Sequence, residues 1–285
     1  MKEEPLVTVV IPTYRRPALV CRAIESVRRQ THRNLEILVI DDASADNTED
    51  VVRSITDARI RYIHHPKNKG VSAVRNTGIR AAGGDYVAFL DDDDEWRPDK
   101  LEKQLVAIDG HGAVLCAALV NGARLRRHGK MAVGLDDLRK GNEFGPSGLF
   151  VRTEVLKQVM FDENLRHGED WDVLIRIALR CSVGYVSDPL LLYSDGSHGR
   201  VTNEAKNQSP QELEKRIAIF DKHREFFGPF WFRVHVAATL LSYFWHRKEK
   251  LEQLGHAIRR CGILPVAAVF VRKLTRSRRR LMGRA

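Results

Sequence analysis

The chain has 285 residues, 43% hydrophobic and 29% charged, which is the balance of a globular protein with ample core material and length for one large α/β domain plus an appendage, or for two small domains. The net charge of +10 is unevenly spread: residues 246–285 carry 12 Lys and Arg against only Glu249 and Glu252, so the rest of the chain is balanced. An excess confined to a tail disfavours a nucleic-acid-binding catalytic face, which needs basic charge spread over the fold, and no nucleic-acid partner is expected.

Met1-Lys2-Glu3-Glu4-Pro5 offers no apolar signal region, so secretion is not expected. Leu6 to Ile11 is a Val-rich apolar run closed by Pro12, the pattern of a central parallel strand. Val20, Ile24 and Val27 recur at helical spacing from about Pro17 to Gln30, with Pro17 suited to the first turn. Leu35 to Ile40 reads as a second strand ending in Asp41-Asp42, and Asp46 with Glu49 resembles a capping box for a helix to about Ile55. Ile60 to Ile63 gives a third strand. Gly70 to Ala82 is helical in pattern and stopped by Gly83-Gly84, after which Tyr86 to Leu90 reads as a strand buried on both faces.

Five carboxylates, Asp91-Asp92-Asp93-Asp94-Glu95, follow that strand at once. Pro98 to Asp109 reads as a helix, Ala113 to Val120 as a buried strand, and Asn121 to Gly145 as a hairpin and mobile loop punctuated by glycines. A helix runs from about Glu169 to Arg180, with Trp171, Leu174, Ile175 and Ala178 on its apolar face. Cys21, Cys116, Cys181 and Cys261 are scattered without zinc or redox spacing, so reduced, buried cysteines of a cytosolic protein are expected.

Alternating strands and helices imply right-handed crossovers and an open, mostly parallel α/β sheet covered by helices on both faces. The carboxyl ends of the strands then share one edge, where ligands bind in such folds. Thr13-Tyr14-Arg15, Asp41-Asp42 and the acidic run all fall there. No phosphate loop or glycine-rich dinucleotide turn is present, because Pro12-Thr13-Tyr14-Arg15-Arg16 follows the first strand. A nucleotide would be gripped by side chains and a metal. Hard carboxylate oxygens suit Mg²⁺ or Mn²⁺ held together with substrate phosphates, although an acidic run can also be a solvated loop. Glu169 and Asp170 suit a helix N-terminus electrostatically, and one of them could equally serve as a general base. His198, flanked by glycines, reads as a surface histidine or as a ligand and phosphate contact.

Assembled in order, Val9 to Arg16, Val39 to Ser44, Asn68-Lys69-Gly70 with Ala73 to Asn76, Phe89 to Asp94 and Glu169 to Asp172 resemble a family 2 glycosyltransferase of the GT-A type. The resemblance covers about residues 6–205, and the wording of Asp91 to Pro98 is nearest to bacterial enzymes of exopolysaccharide and lipopolysaccharide assembly. It implies that Thr13, Tyr14, Arg75, Asp91 and Asp92 contact the nucleotide and that Asp42 hydrogen-bonds the base. It implies further that Asp91-Asp92-Asp93 is the Asp-any-Asp element, that Asp93 is the direct metal ligand with Asp91 beside it, and that Asp170 is the catalytic base. His198 is the candidate for a further metal or diphosphate contact. Residue 92 is often small and polar in this family and is Asp here, which leaves open which of the four aspartates meets the metal. The activity implied is inverting, Mn²⁺- or Mg²⁺-dependent transfer from a nucleoside-diphosphate sugar, UDP-sugar foremost, to a glycan or lipid-linked glycan.

Two rivals remain at this level. A sugar-phosphate nucleotidyltransferase shares the sheet and the acids but normally has a glycine-rich basic segment near its start. An inactive scaffold of the same fold would not need Asp91, Asp93 and Asp170 intact. Residues 1–205 are expected to form the catalytic domain and 206–285 a helical, basic C-terminal extension. In the extension, Val234 to Trp245 and Gly262 to Val271 are too short to span a bilayer, which takes about 20 residues. They suit either helices packed on the core or an in-plane anchor, with Arg272-Lys273 and Arg276 to Arg280 drawn to an anionic membrane at the inner face of the cell membrane.

Overall fold

The computed structural model describes residues 4–120, 123–125, 131–194, 208–247 and 249–282. They belong to two compact units, Met1–Ser197 and His198–Ala285. The first unit is organised by one sheet made of β1 (Val7–Thr13), β2 (Leu35–Asp41), β3 (Ile60–His64), β4 (Tyr86–Phe89), β5 (Glu95–Trp96), β6 (Ala113–Val120), β7 (Ala123–Leu125), β8 (Ala132–Val133), β9 (Phe150–Arg152) and β10 (Val183–Tyr193). Their spatial order is β3-β2-β1-β4-β9-β6-β10-β5, with β7 beside β6 and β8 beside β10. Strands β1 to β4 pair in parallel, β9 runs against both β4 and β6, and β10 is parallel to β6. β1, β2, β3, β4, β6 and β10 therefore point the same way and end on one edge.

The helices of this unit are α1 (Pro17–Arg28), α2 (Thr48–Arg53), α3 (Val71–Ala81), α4 (Lys100–Ala107), α5 (Leu135–Lys140), α6 (Thr153–Val159) and α7 (Glu169–Ala178). Because strand side chains alternate, Val7, Val9 and Ile11 of β1 pack in one cluster with Val20, Ala23, Ile24 and Val27 of α1. Val10 points to the other face and meets α3 at Gly78, where an added Cβ would lie 2.3 Å from Val10 Cγ1. Helices thus cover both faces, and each fully buried Val or Ile contributes about 1.5–3 kcal/mol. The fold is α/β, an open, mostly parallel sheet covered by helices on both faces.

Two local expectations are corrected. Asn47, not Asp46, caps α2, and the Asp46 carboxylate accepts from the amide and hydroxyl of Thr48, so the capping box with Glu49 does not form. The Asp-x-Thr turn satisfies the carboxylate locally, which removes it from the N3 position it would have to serve. In the glycine-punctuated region, β7 pairs antiparallel with β6 as a hairpin, but Leu135–Lys140 is helical, with the Gly134 amide donating to Asp137 at 3.0 Å.

The second unit contains short five-residue helices at Pro210–Glu214 and Ala218–Lys222, then α8 (Arg224–Leu240), α9 (Lys250–Cys261) and α10 (Ile263–Met282). α8 is broken at Gly228, φ 68°, immediately before Pro229. Its carboxyl half packs inward through Val234, Val236, Ala237 and Leu240, and Phe220, Phe227 and His235 form an aromatic cluster. All four cysteines are free thiols; Cys116 and Cys261 are buried, while Cys21 and Cys181 are partly exposed.

Candidate active site at the carboxyl edge of the sheet

β1 and β2 end beside each other, in register from Val7 and Leu35 to Thr13 and Asp41. The turns that follow are strained: Arg15 has φ 52° and Ala43 φ 68°, values that side chains with a Cβ rarely adopt. The Arg15 amide donates to Ser44 Oγ at 2.7 Å, which ties the two turns together. Strain of this kind persists only where surroundings over-determine it, and it gathers at ligand sites. Tyr14 is partly exposed on the edge with the Arg15 guanidinium 5.0 Å from its ring centre.

The four aspartates after β4 diverge. Asp91 accepts from Arg75 Nη2 at 2.7 Å, while its own amide donates to Ser147 Oγ at 3.0 Å. Asp92 turns inward, accepting from the Thr13 hydroxyl at 2.9 Å and from Arg16 Nη1 at 3.1 Å. Burial pushes its carboxyl up to about 6 against the pull of Arg16 and Thr13. Asp93 lies 3.7 Å from Arg16. Asp94 is buried and accepts from the Ser194 amide at 3.1 Å, so the end of β10 closes on the acidic loop. Desolvation, with Asp91 adding to it, raises Asp94 to about 7.

Asp42 is placed on the expected edge, but the chain itself occupies its carboxylate. Oδ1 accepts from the Lys69 amide at 2.9 Å and from His65 Nδ1 at 3.0 Å, and Oδ2 from the Gly70 amide at 2.8 Å. Its neighbour Asp41 is fully buried and accepts from Tyr62 and from the Ser44 amide.

Arg75, on α3, is buried over the Phe161 ring and reaches Asp91 on one side and Glu169 Oε1 at 3.4 Å on the other. Burial disfavours its charge, but Asp91, Glu169 and Asp170 together hold it above the ordinary arginine value. Glu169 and Asp170 open α7, whose N-cap Gly168 sits at φ 77°, a left-handed turn that favours glycine and aims the first turn at the sheet edge. Asp170 walls a narrow hollow with Phe144, Pro146, Leu149 and Leu174. In that apolar setting desolvation first, and the charge of Glu169 second, raise its pKa to about 7, against a hydrogen bond from the Trp171 amide at 2.7 Å. A carboxyl poised near neutrality is what general-base chemistry requires.

Several positioning residues carry no motif. Ser147, in the turn Pro146–Gly148, holds the Asp91 amide through its hydroxyl and the Trp96 indole through its carbonyl at 2.9 Å. Beneath it, the fully buried Lys100 donates to Gln104 at 2.6 Å and lies 3.8 Å from the Trp96 ring centre. Gln104 donates to the Gly148 carbonyl at 3.0 Å. The one signal in sequence is that residues 100 and 104 share the buried face of α4 with Leu101.

His198 lies outside the described residues. Among those described, no three His, Cys, Asp or Glu side chains are gathered as a metal cage. The donor chemistry still fits a hard divalent cation, because Asp91 and Asp93 bring carboxylate oxygens to the carboxyl edge of the sheet and such ions take one or two carboxylates plus substrate phosphates.

The sequence profile of Glycosyl transferase family 2 matches residues 8–148. WcaA of Escherichia coli, which carries a provisional name as a colanic acid biosynthesis glycosyl transferase, is 30% identical over 239 residues, covering 80% of this chain and 84% of WcaA. The chain belongs to glycosyl transferase family 2. Other relatives of this glycosyltransferase are longer: it spans 32% of an uncharacterized glycosyltransferase of Rickettsia felis, to which it is 36% identical over 196 residues. Many solved structures share its fold. S. aureus TarS 1-349 in complex with UDP-GlcNAc superposes with TM-score 0.63 at 18% identity, covering 93% of this chain and 90% of that one. The mannosyltransferase PcManGT from Pyrobaculum calidifontis, in complex with GDP-Man and Mn²⁺, gives 0.62 at 21% identity, covering 96% and 81%.

Proposed function

We propose that this glycosyltransferase moves a sugar from a nucleoside-diphosphate sugar, a UDP-sugar foremost, to a hydroxyl of a glycan or lipid-linked glycan in bacterial surface polysaccharide synthesis, with inversion. The observation that carries the reading is Arg75, whose guanidinium joins Asp91 to Glu169 at 2.7 and 3.4 Å. One side chain thus spans the acidic loop and the turn that bears Asp170. A nucleoside-diphosphate sugar bound at the loop would present the anomeric carbon of its sugar toward the turn that bears the base. The names of WcaA, of TarS with UDP-GlcNAc and of PcManGT with GDP-Man and Mn²⁺ support the donor class and the setting.

The nucleotide lies along the β1 and β2 turns, where Tyr14 offers an exposed ring and Thr13 is held by Asp92. Asp93 and Asp91 would hold Mn²⁺ or Mg²⁺, which would supply positive charge to the departing diphosphate. Arg16, partly exposed beside Asp92 and Asp93, adds positive charge at the same place. Asp170 takes the proton of the acceptor hydroxyl as that oxygen attacks. A single displacement from the face opposite the leaving group inverts the anomeric configuration. Catalysis is assigned to Met1–Ser197.

The test is a panel of UDP-, GDP- and dTDP-sugars with Mn²⁺, Mg²⁺ or chelator, with nucleoside-diphosphate release read for the wild type and Asp93→Ala. Metal-dependent release that Asp93→Ala abolishes is expected. Pyrophosphate release from a nucleoside triphosphate and a sugar phosphate would identify a nucleotidyltransferase instead. Absence of metal-dependent nucleotide binding would leave a scaffold.

A further inference from the structure

α10, the 20-residue helix Ile263–Met282, has two faces with different fates. Val266 and Val269 turn inward and are buried. On the other side Ile263, Leu264, Val271 and Leu274 are 70%, 77%, 58% and 66% exposed, and Ala267 is exposed with them. At 100° per residue these five positions fall within an arc of about a quarter turn, so they form one stripe along the helix. Phe270 borders that stripe and packs edge-on against Trp245, which is 65% exposed. Scattered exposed apolar residues need no explanation; a continuous stripe with a Trp at its margin does.

The basic residues next to the stripe divide likewise. Arg272 stacks over Trp231 at 5.1 Å, and Lys273 donates to the Leu241 carbonyl at 3.1 Å, with burial lowering its pKa. Both are packing groups inside the unit. The same helix then continues through Arg276, Arg278, Arg279 and Arg280 with no acidic residue after Glu252. Among the described residues no helix is long and apolar enough to cross a membrane.

We infer that the outward stripe Ile263, Leu264, Ala267, Val271 and Leu274, flanked by Trp245, lies in the plane of an anionic lipid surface, to which the basic run that follows in the sequence draws it. An in-plane amphipathic segment combines these features: apolar side chains on one face, an aromatic residue at the interface level, and clustered Arg beside anionic lipid. Charge complementarity selects an anionic lipid surface, since six Lys and Arg between residues 272 and 280 follow the stripe with no acid among them to balance. The inference goes beyond the proposed sugar transfer and does not depend on it.

The test uses the full chain in flotation with phosphatidylcholine vesicles and with phosphatidylcholine vesicles containing phosphatidylglycerol, at low and high salt. The wild type is expected to float with the anionic vesicles only and to be released by salt. Leu264→Glu/Val271→Glu/Leu274→Glu should bind on the order of tenfold more weakly or worse, because charge replaces the buried apolar face. Arg276→Gln/Arg278→Gln/Arg279→Gln/Arg280→Gln should lose the salt-sensitive part. The wild-type arms are decisive by themselves: flotation with neither vesicle, or equally with both at every salt, overturns the inference. So does light scattering that shows a dimer which the stripe variant turns into a monomer. Vesicle binding is read without catalysis, so its failure is separable from failure of donor hydrolysis.

Discussion

Arg75, itself buried, forms an ion pair at 2.7 Å with the half-buried Asp91 between α3 and the loop after β4, and the same guanidinium reaches Glu169 on α7. The Arg75 side chain is 4% exposed, and its Nε is buried without a hydrogen-bond partner. A charge so placed is tolerated because the two carboxylates offset its desolvation. Removing one partner of such a pair leaves the others uncompensated. Arg75→Leu is therefore expected to lower the unfolding free energy by about 1–3 kcal/mol, less than for a fully buried pair because Asp91 and Glu169 keep some contact with water. Arg75→Lys keeps the charge but loses the planar fork that spans both acids, so it should recover only part. Chemical denaturation at pH 7 measures this, and an unchanged midpoint in Arg75→Leu would show that the guanidinium serves the nucleotide alone.

Asp170 makes two predictions of opposite sign. As a base it must be ionised, so turnover should rise with pH through about 7, the value to which desolvation and Glu169 raise it. Asp170→Asn should lose roughly 10²-fold in turnover or more and leave donor affinity unchanged. Stability runs the other way. Between its ordinary value of 3.8 and about 7 the folded state holds a proton that the unfolded state has released. Stability attributable to Asp170 thus falls as pH rises through that window, and the penalty is full above it. Asp170→Asn should gain stability over the wild type at pH 8 and not at pH 4. A pH-independent difference in melting would remove the buried-base assignment.

The first half of the fold was legible because buried parallel strands are continuous apolar runs: β1 to β4 and β6 were placed within a residue or two of their observed ends. β10 was not, since Ser187-Asp188-Pro189 interrupts its apolar run where its register with β6 shifts. Side-chain direction beyond a strand end was illegible for a related reason. No periodicity governs Asp91 to Asp94, and their partners Arg75, Thr13, Arg16 and Ser194 come from distant segments.

Asp42 illustrates the same limit and yields a test. The resemblance implies a contact to the base, whereas the carboxylate binds the amides of Lys69 and Gly70 and the ring of His65. Asp42→Ala leaves three donors without this acceptor and should lower stability by about 3 kcal/mol, the upper end for one charge-assisted bond, since coupled bonds do not add. Donor affinity should fall with it, because the 65–70 segment loses its anchor. Weaker donor binding at an unchanged denaturation midpoint would instead favour the direct contact to the base.

Lys100 supplies the last prediction. Its ammonium is fully buried between Gln104 and the Trp96 ring, and desolvation lowers its pKa from 10.5 to about 8. Between those two values the unfolded chain holds a proton that the folded chain has released, so the Lys100 contribution to stability rises with pH across that window. Lys100→Met fills similar volume without a charge and should lack this rise. Against it stands the Gln104 carbonyl, left without its donor at a cost of about 1–3 kcal/mol that does not vary with pH. The wild type should therefore gain on Lys100→Met between pH 8 and pH 10. Gln104 also holds Gly148, next to the Ser147 that supports Asp91, so the variant should lose turnover more than overall fold. Denaturation midpoints of the two proteins from pH 7 to pH 10, together with donor hydrolysis at pH 7, decide it. Parallel pH curves with equal hydrolysis would reduce Lys100 to ordinary packing.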